Sequence, residues 1–123
     1  MRLGTVIFHI VKRSEWQEAV QRGTYEPESL ASEGFIHCST TTQTLETANR
    51  FFQSQQDLVL LVINEERLAA ECRWETPANT SDERRGELFP HVYGPLNLDA
   101  VIQAVDFPCE ADQSFHWPPA LHQ

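Results

Sequence analysis

The chain has 123 residues, 41% of them hydrophobic, so it is long enough for one domain with its own core and too apolar to be disordered throughout. Its 18 acidic and 9 basic side chains give a net charge of -9, which argues against a broad positive face for nucleic acid or an anionic membrane but does not exclude a small positive pocket. The three cysteines form no CxxC pair, which argues against a disulfide framework or a cysteine zinc site and indicates reduced thiols in a cytoplasm. No signal peptide or membrane span is expected, because the longest apolar run, residues 58–63, is far shorter than the roughly 20 residues of a span.

The first part of the chain predicts a strand, a helix and a polar loop. Residues 5–11 are β-branched and aromatic, as in a buried strand, with His9 near its C-terminal end. Ser14 and Gln17 have the spacing of a capping box, and Gly23 is placed to end the helix that follows. The predicted apolar face of this helix consists of Trp16, Ala19 and Val20. The mostly polar stretch after it predicts a loop with one helical turn.

The stretch from Gly34 to Thr40 is the most informative part of the sequence. It begins as a buried strand and then presents a histidine, a cysteine and two hydroxyl residues in consecutive positions. Because neighbouring residues of a strand point to opposite faces, His37 and Ser39 share one face and Cys38 takes the other. Cys38 is therefore expected to be a small buried side chain rather than a nucleophile beside His37.

An amphipathic helix is predicted directly after this strand. Thr40 and Gln43 have capping-box spacing. The free backbone N–H groups and the dipole of a helix N-terminus also favour an anion, so Thr40 is a candidate for phosphate binding as well as for capping. The predicted apolar face consists of Leu45, Ala48, Phe51 and Phe52, and Thr44 is assigned elsewhere.

The second half predicts three further strands. Residues 58–63 are apolar without alternation, which is typical of a strand buried on both faces. Residues 71–75 and 100–107 are also expected to be strands. Pro90 argues against a central strand over residues 88–94, so an edge strand or a tight turn is expected there.

Two segments are expected to lie at the surface. Residues 76–86 carry turn-forming residues and no apolar period, which predicts a surface loop with the length and polarity of a mobile flap. The charged residues of this loop, Asp82, Glu83, Arg84 and Arg85, are expected to be solvated. After Pro108 the chain is rich in proline and is expected to fray or to lie on the surface.

Three histidines are candidates for one shared cleft. His9 and His37 lie near the ends of predicted strands and His91 lies in a predicted turn, and histidine is the side chain best suited to change protonation near neutral pH. The alternatives are a core histidine bonded to backbone for His9 and His37, and turn packing for His91. Three histidines also permit a zinc site, although their spacing matches no local metal motif. Trp74 and Tyr93 either stack on a ligand ring or fill the core.

Several segments occur in an order that resembles a bacterial family of proteins of unknown function, DUF952, over about residues 6–105. These segments are Phe8-His9-Ile10-Val11, Trp16, residues 34–39, residues 48–52, Arg73-Trp74-Glu75 and residues 87–96. A strand histidine followed by a His-x-Ser strand before a helix is also similar to the ADP-ribosyltransferase-like fold, and in layout to RNA 2'-phosphotransferases. That resemblance implies that His9, His37 and Ser39 bind NAD or ADP-ribose, with Glu75 or Glu87 in the late acidic role.

The sequence thus predicts an α+β domain over residues 1–108, with a bent, mostly antiparallel two-part sheet and two or three short helices, followed by a C-terminal tail over residues 109–123. The predicted function is binding of, or group transfer from, a small nucleotide-like ligand such as NAD or ADP-ribose, and the alternative is a non-enzymatic ligand- or protein-binding module. The expected partner is a small molecule, with NAD as the cofactor that the resemblance implies. The catalytic candidates are His37, Glu75 and His91, the ligand-binding candidates are His9, His37, Ser39, Thr40, Trp74 and Tyr93, and no metal ligand is assigned.

Overall fold

The computed structural model describes residues 5–77, 82–84 and 86–121. Along these residues the strands are β1 Val6–Lys12, β2 Thr24–Tyr25, β3 Ile36–His37, β4 Leu58–Asn64, β5 Glu71–Glu75, β6 Phe89–Tyr93, β7 Leu96–Asn97 and β8 Val101–Asp106. The α-helices are α1 Arg13–Arg22, α2 Glu28–Ser32 and α3 Thr41–Phe51, and single 3-10 turns lie at Glu65–Arg67, Leu98–Ala100 and Pro119–Leu121. The predicted α+β class, with antiparallel strand pairing and three short helices, is confirmed.

The first sheet has the strand order β1-β4-β8 and separates two apolar clusters. Its middle strand, β4, is buried from Leu58 to Ile63, as its unalternated sequence predicts. Alternate residues of β1 enter different clusters: Ile7 packs on the side of α1, and Phe8 packs on the side of α3. The two helices thus cover opposite faces of this sheet, because each face is apolar and has to be removed from water.

The second sheet has the order β3-β6-β5, so β6 is its central strand. The prediction of an edge strand or turn around Pro90 was therefore wrong. Pro90 has no N–H to donate to β3. It is tolerated because β3 ends at His37, so no ladder hydrogen bond from position 90 is needed, and the Pro90 carbonyl still accepts from the Cys38 N–H at 3.1 Å.

Within the described part of the chain, one isolated β-bridge connects the first sheet to the second, between Phe8 of β1 and Ser39 just after β3. The Phe8 N–H donates to the Ser39 carbonyl and the Ser39 N–H donates to the Phe8 carbonyl, each at 2.8 Å. This exchange fixes the end of β3 against the middle of β1. A third, two-stranded sheet pairs β2 with β7, which the sequence analysis did not predict.

The helix boundaries agree in part with their sequence signals. At α1, Gly23 ends the helix in the left-handed region at φ 90°, as predicted. The predicted Ser14 cap is absent, because the helix already begins at Arg13 and Lys12 is its N-cap. At α3 the capping box of Thr40 and Gln43 is confirmed, with both of its hydrogen bonds formed. Two predicted core positions were wrong, since Val20 is 52% exposed and Phe51 is 44% exposed.

Thr44 takes the buried position on α3 that the sequence analysis did not assign to it. It is completely buried, and its hydroxyl donates to the Thr40 carbonyl at 2.8 Å. This bond within the helix satisfies the hydroxyl, so burial of Thr44 leaves no polar atom without a partner.

The charged loop before β6 is not solvated as predicted. Asp82 is 4% exposed and Arg84 is 6% exposed, while Glu83 between them is exposed. The Arg84 guanidinium donates to both carboxylate oxygens of Asp82, at 3.0 and 2.8 Å, and lies over the Phe89 ring. The pairing replaces the hydration that both charges lose on burial. Arg85 and the predicted flap positions 78–81 lie outside the described residues.

The C-terminal segment packs against the first sheet instead of fraying. Phe115 is 3% exposed and stacks against Phe107 with ring centroids 5.0 Å apart, and Trp117 meets Phe8 edge to face at 5.4 Å. The Asn49 side chain of α3 holds the Phe115 backbone through two hydrogen bonds, at 2.7 and 3.4 Å. The segment is needed because it covers apolar surface beside α3. None of the described helices is long and apolar enough to cross a membrane.

Candidate functional site

An open cleft of about 810 Å³ lies between the two sheets, beneath α1, α2 and the C-terminal half of α3. The histidines of three different strands, His9 of β1, His37 of β3 and His91 of β6, all line it together with Ser39. The rings of His37 and His91 have centroids 5.7 Å apart, because these two residues are directly opposite in the β3–β6 pairing. The structure therefore brings the three predicted histidines to one concave surface.

His91 is oriented by a carboxylate on the neighbouring strand. Its Nδ1–H donates to Glu75 Oε1 at 2.8 Å, and the Tyr93 hydroxyl donates to the same oxygen at 2.6 Å. The Phe35 ring is stacked on the imidazole with centroids 4.2 Å apart. Arg73 lies over the Tyr93 ring at 4.3 Å, on the same face of the sheet. Glu75 thus fixes the tautomer of His91 and Phe35 its ring plane, while Tyr93 holds Glu75 in place.

The protonation of this pair follows from its surroundings. Burial lowers the pKa of His91 below its ordinary value, and the bond to Glu75 opposes this only in part. The hydrogen bonds from Tyr93 and His91 hold the pKa of Glu75 below its usual value. At neutral pH the pair is therefore a carboxylate and a neutral imidazole, with the lone pair on His91 Nε2. This nitrogen has no hydrogen-bond partner among the described residues.

His9 has no spare hydrogen-bonding capacity. Its Nδ1–H donates to the His37 carbonyl at 2.6 Å, and its Nε2 accepts from the Tyr25 hydroxyl at 2.7 Å. Burial lowers the pKa of His9 from 6.5 to about 4, so the ring is neutral at physiological pH. Its geometry is that of a core histidine that lines the cleft and holds β1, β2 and β3 together.

His37 is the most exposed of the three histidines. Its Nε2–H donates to Glu33 Oε1 at 3.1 Å, and its ring contacts the Phe35 ring with centroids 4.7 Å apart. About half of the His37 side chain remains accessible, at 46%. It is thus held on the cleft surface with a carboxylate beside it, across from His91.

Ser39 offers a free hydroxyl in the cleft. The residue is 7% exposed, and its Oγ has no hydrogen-bond partner within the described residues. Every buried side-chain nitrogen or oxygen in the described part of the chain has a hydrogen-bond partner. Because Ser39 Oγ and His91 Nε2 have no such partner, both atoms must be accessible to solvent. For residues that line the cleft, this solvent is the cleft itself.

Four other candidates do not line the cleft. Glu75 and Tyr93 lie behind His91 and contact it or its carboxylate partner. Trp74 lies on the opposite face of β5, where its indole N–H donates to Glu65 at 3.0 Å. Thr40 is occupied in the capping box at the start of α3, whereas the cleft is lined by the later part of that helix.

The expected buried thiol is found at Cys38. The residue is 3% exposed, and burial raises the pKa of the thiol far above its ordinary value, so it is no nucleophile at neutral pH. The zinc alternative finds no support, because no group of three or more metal-binding side chains is close enough together in the described ranges.

The charges that line the cleft are mostly negative. The acidic lining residues are Glu15, Glu18, Glu26, Glu28, Glu33 and Asp82, and the basic ones are Arg22 and Arg84. Arg84 is already paired with Asp82, and Arg22 lies 3.9 Å from Glu18 with both side chains exposed. No cationic side chain among the described lining residues is therefore unpaired.

The sequence analysis missed several residues of the site. The alternation that places His37 and Ser39 on one face also places Phe35 there, so this stacking partner had a signal. Tyr25 had none, because it meets His9 through the fold, 16 positions away in sequence. Glu33 lies four positions before His37, a spacing that the sequence shows but that was not used because the two residues flank a turn and a short strand. The contribution of α2 and of the loop around Asp82 to the cleft was likewise unpredictable from local pattern.

Comparisons with known proteins agree on one family. The model of the family described as "Protein of unknown function (DUF952)" matches residues 10–104. A crystal structure of protein CC0527 from Caulobacter crescentus is 34% identical to this chain, covers 91% of it and 94% of its own chain, and superposes with a TM-score of 0.79. The solution NMR structure of CC0527 is 35% identical, covers 89% and 90% of the two chains, and has a TM-score of 0.74. No functionally curated protein matches the chain. The chain therefore belongs to the DUF952 family.

Proposed function

We propose that the cleft binds a small nucleotide-like ligand through the sugar and ring of its nucleoside part, and that His91 Nε2 accepts a hydrogen bond from a hydroxyl of that ligand. One observation carries this proposal. His91 and Ser39 are each more than nine-tenths buried and line the same cleft, and each has one unbonded polar atom within the described residues. These two atoms reach the solvent of the cleft and have no protein partner there, so a ligand that displaces this solvent can hydrogen-bond to both.

The proposed roles follow from these contacts. His91 would accept this hydrogen bond on Nε2, and Glu75 would keep Nε2 in its acceptor form by holding the proton on Nδ1. Glu75 is thus a positioning residue, since it touches the ring and not the cleft. His37 and Ser39 would orient ligand hydroxyls, and Tyr93 would hold Glu75 in place.

NAD and ADP-ribose, which the resemblance to the ADP-ribosyltransferase-like fold implies, fit this cleft only in part. Their ribose hydroxyls are complementary to Ser39 and His91. Their pyrophosphate has only exposed Arg22 as an arginine or lysine counterpart among the described lining residues, because Arg84 is paired with Asp82 and the N-terminus of α3 lies outside the lining. We therefore restrict the proposal to binding of the nucleoside part of the ligand. A measurement of turnover tests whether a group is transferred from it.

Titration into ¹⁵N-labelled protein tests binding. NAD, ADP-ribose, adenosine and nicotinamide riboside are added to millimolar concentration, and the amide shifts of residues that line the cleft are followed. Ser39→Ala and His91→Ala should each weaken binding roughly tenfold, since each removes one hydrogen bond to the ligand. His116→Ala is the matched control, because this histidine is exposed and does not line the cleft. Absence of shifts with all four compounds contradicts the proposal.

The alternative function, a non-enzymatic binding module, is favoured by the absence of Glu75 from the cleft lining. The same samples decide between the two. A ligand whose own proton spectrum changes with time in the wild type, and not in His91→Ala, supports catalysis. A ligand that shifts the cleft amides and stays chemically unchanged supports the module.

A further inference from the structure

We infer that the cleft selects a small organic cation and rejects a phosphate-bearing anion. The inference rests on the proposed function, because it assigns the charge of the ligand that the cleft binds. The residues that carry it form an acidic rim, defined as Glu15 and Glu18 of α1 with Glu26 and Glu28 beside α2.

The acidic rim is largely uncompensated. Glu15, Glu26 and Glu28 take part in no ion pair with any described residue. Glu18 has one basic neighbour, Arg22, at 3.9 Å, and both side chains are more than half exposed, so the pair contributes little. All four carboxylates line the same cleft, so each of them attracts a cation that enters it.

Groups that would hold a phosphate are few in the described lining, where exposed Arg22 of α1 is the only arginine or lysine besides Arg84. Arg84 uses its guanidinium on Asp82 and on the Thr47 hydroxyl, which it reaches at 2.8 Å. The first turn of α3 is capped by its own Thr40 and Gln43 and does not line the cleft. An anion would therefore lose its hydration and meet several carboxylates, with exposed Arg22 as its one arginine or lysine partner outside the buried Asp82–Arg84 pair.

The remaining lining defines the rest of the ligand. Apolar side chains contribute to the walls, among them Ile10, Pro27, Phe52 and Phe89. At the inner end, Ser39 and His91 offer the unbonded polar atoms described above. This combination suits a flat ring with a positively charged nitrogen and a hydrogen-bonding substituent. In a NAD-like molecule, the cationic nicotinamide riboside end matches it and the ADP-ribose end does not.

A set of three pyridines of nearly equal size tests the charge preference: the cation 1-methylnicotinamide, neutral nicotinamide and the anion nicotinate. Affinities are read from amide shifts of the cleft residues at pH 7. The cation should bind about tenfold more tightly than the anion, as expected for several partly exposed charges in water. In Glu15→Gln/Glu26→Gln/Glu28→Gln the preference should fall below about twofold. The control Glu66→Gln/Glu83→Gln/Glu110→Gln changes the net charge equally but spares the cleft, and it should keep the preference.

The outcomes separate this inference from the proposed function. Equal binding of the three compounds, or tighter binding of nicotinate, overturns the cation preference and leaves ligand binding in the cleft intact. Equal loss of the preference in the control variant also overturns it, because the effect then comes from net charge and not from the acidic rim. If none of the three compounds shifts a cleft amide, the proposed function fails for ring ligands and the inference fails with it.

Discussion

Glu75 Oε1 lies 2.8 Å from His91 Nδ1 and so connects the edge strand β5 to the inside of the cleft. The two residues are 16 positions apart in sequence but occupy neighbouring strands, two residues apart in register. The bond assigns the proton to Nδ1 and leaves Nε2 as an acceptor toward the cleft. An exposed carboxylate can thus control the basicity of a histidine that is almost fully buried.

Replacement of Glu75 should lower the pKa of His91. The carboxylate raises this pKa by accepting from Nδ1–H, so Glu75→Gln removes a stabilising partner of the imidazolium, and burial then acts with less opposition. The measurement is an NMR titration of the His91 ring protons. Glu71→Gln is the control on the same strand, since Glu71 pairs with Arg73 and not with His91. An unchanged or raised pKa in Glu75→Gln would contradict the proposed coupling.

The free energy of unfolding should decrease between pH 6.5 and pH 4 because of His9. In the folded protein its pKa is about 4, whereas the ordinary value is 6.5. Between these values the unfolded chain binds a proton that the folded protein does not, so stability is complete above pH 6.5 and is lost as the pH falls toward 4. The loss amounts to roughly 2–3 kcal/mol at pH 4.5.

Urea unfolding at pH 7 and pH 4.5 isolates the contribution of His9. His9→Gln keeps one donor for the His37 carbonyl and one acceptor for the Tyr25 hydroxyl but does not titrate, so its pH-dependent loss should be smaller than that of the wild type. Acidic groups with lowered pKa values, such as Asp82, also reduce the free energy of unfolding at acid pH. They do so equally in both proteins, so their contribution cancels in the difference. His116→Gln, at an exposed histidine, should behave as the wild type does. Equal pH dependence in His9→Gln and wild type would contradict the prediction.

Several features could be predicted from the sequence because their signals are local. The apolar run of β4, the capping box at Thr40 and the stop at Gly23 each depend on residues that are neighbours along the chain. The convergence of the histidines was predicted from the expectation that they lie at strand ends or in a turn, whereas His9 lies inside β1 and His91 inside β6. The two-residue strands β2 and β7 show no pattern, because a pair of residues cannot display a period.

Other features depend on what the fold leaves uncovered. Phe115 and Trp117 lie in a proline-containing segment that resembles a loose tail, and their burial follows only once the apolar surface beside α3 is known. Asp82 and Arg84 look like solvated charges until their bidentate geometry is seen. Pro90 is acceptable in a central strand only because β3 is so short. Sequence rules failed at positions where long-range contacts override local preference.

Breaking the Asp82–Arg84 pair on one side should be more costly than removing both charges. Arg84→Met leaves a buried carboxylate without a partner, and Asp82→Asn leaves a buried guanidinium, so each should cost about 3 kcal/mol at pH 7. The double variant Asp82→Asn/Arg84→Met should cost less than the worse single variant, because no unpaired charge remains. Glu83→Gln changes an exposed charge in the same turn and should be nearly neutral. Urea unfolding of the wild type, the two single variants and the double variant gives the coupling energy between Asp82 and Arg84. Additive losses would contradict the prediction.

The same pair gives a pH dependence of known sign. The hydrogen bonds from Arg84 lower the pKa of Asp82. The stability that the pair contributes is therefore present above the ordinary carboxyl pKa and is lost as the pH falls through the lowered value. In Arg84→Met this acid-induced part of the loss should disappear, whereas in Glu83→Gln it should remain.

Gly94 and Ala70 should show a steric coupling at the start of the β5–β6 ladder. A Cβ at position 94 would lie 2.8 Å from the Ala70 Cβ, closer than two methyl groups can approach. Gly94→Ala should therefore reduce the free energy of unfolding by about 1–3 kcal/mol. Ala70→Gly removes the opposing methyl, so Ala70→Gly/Gly94→Ala should recover part of this loss, even though Ala70→Gly alone costs roughly 0.5–1 kcal/mol through backbone entropy.

Gly86→Ala is the matched control for this cycle, because a Cβ at position 86 has no heavy atom of the described residues within 4 Å. It should change the stability little, since it introduces no close contact. Urea unfolding of the wild type, the three cycle members and the control supplies all five values. A double variant that is as unstable as the sum of its single variants would show that the two methyl groups do not meet, and that the tight approach of Tyr93–Gly94 to Ala70–Glu71 is relaxed in solution.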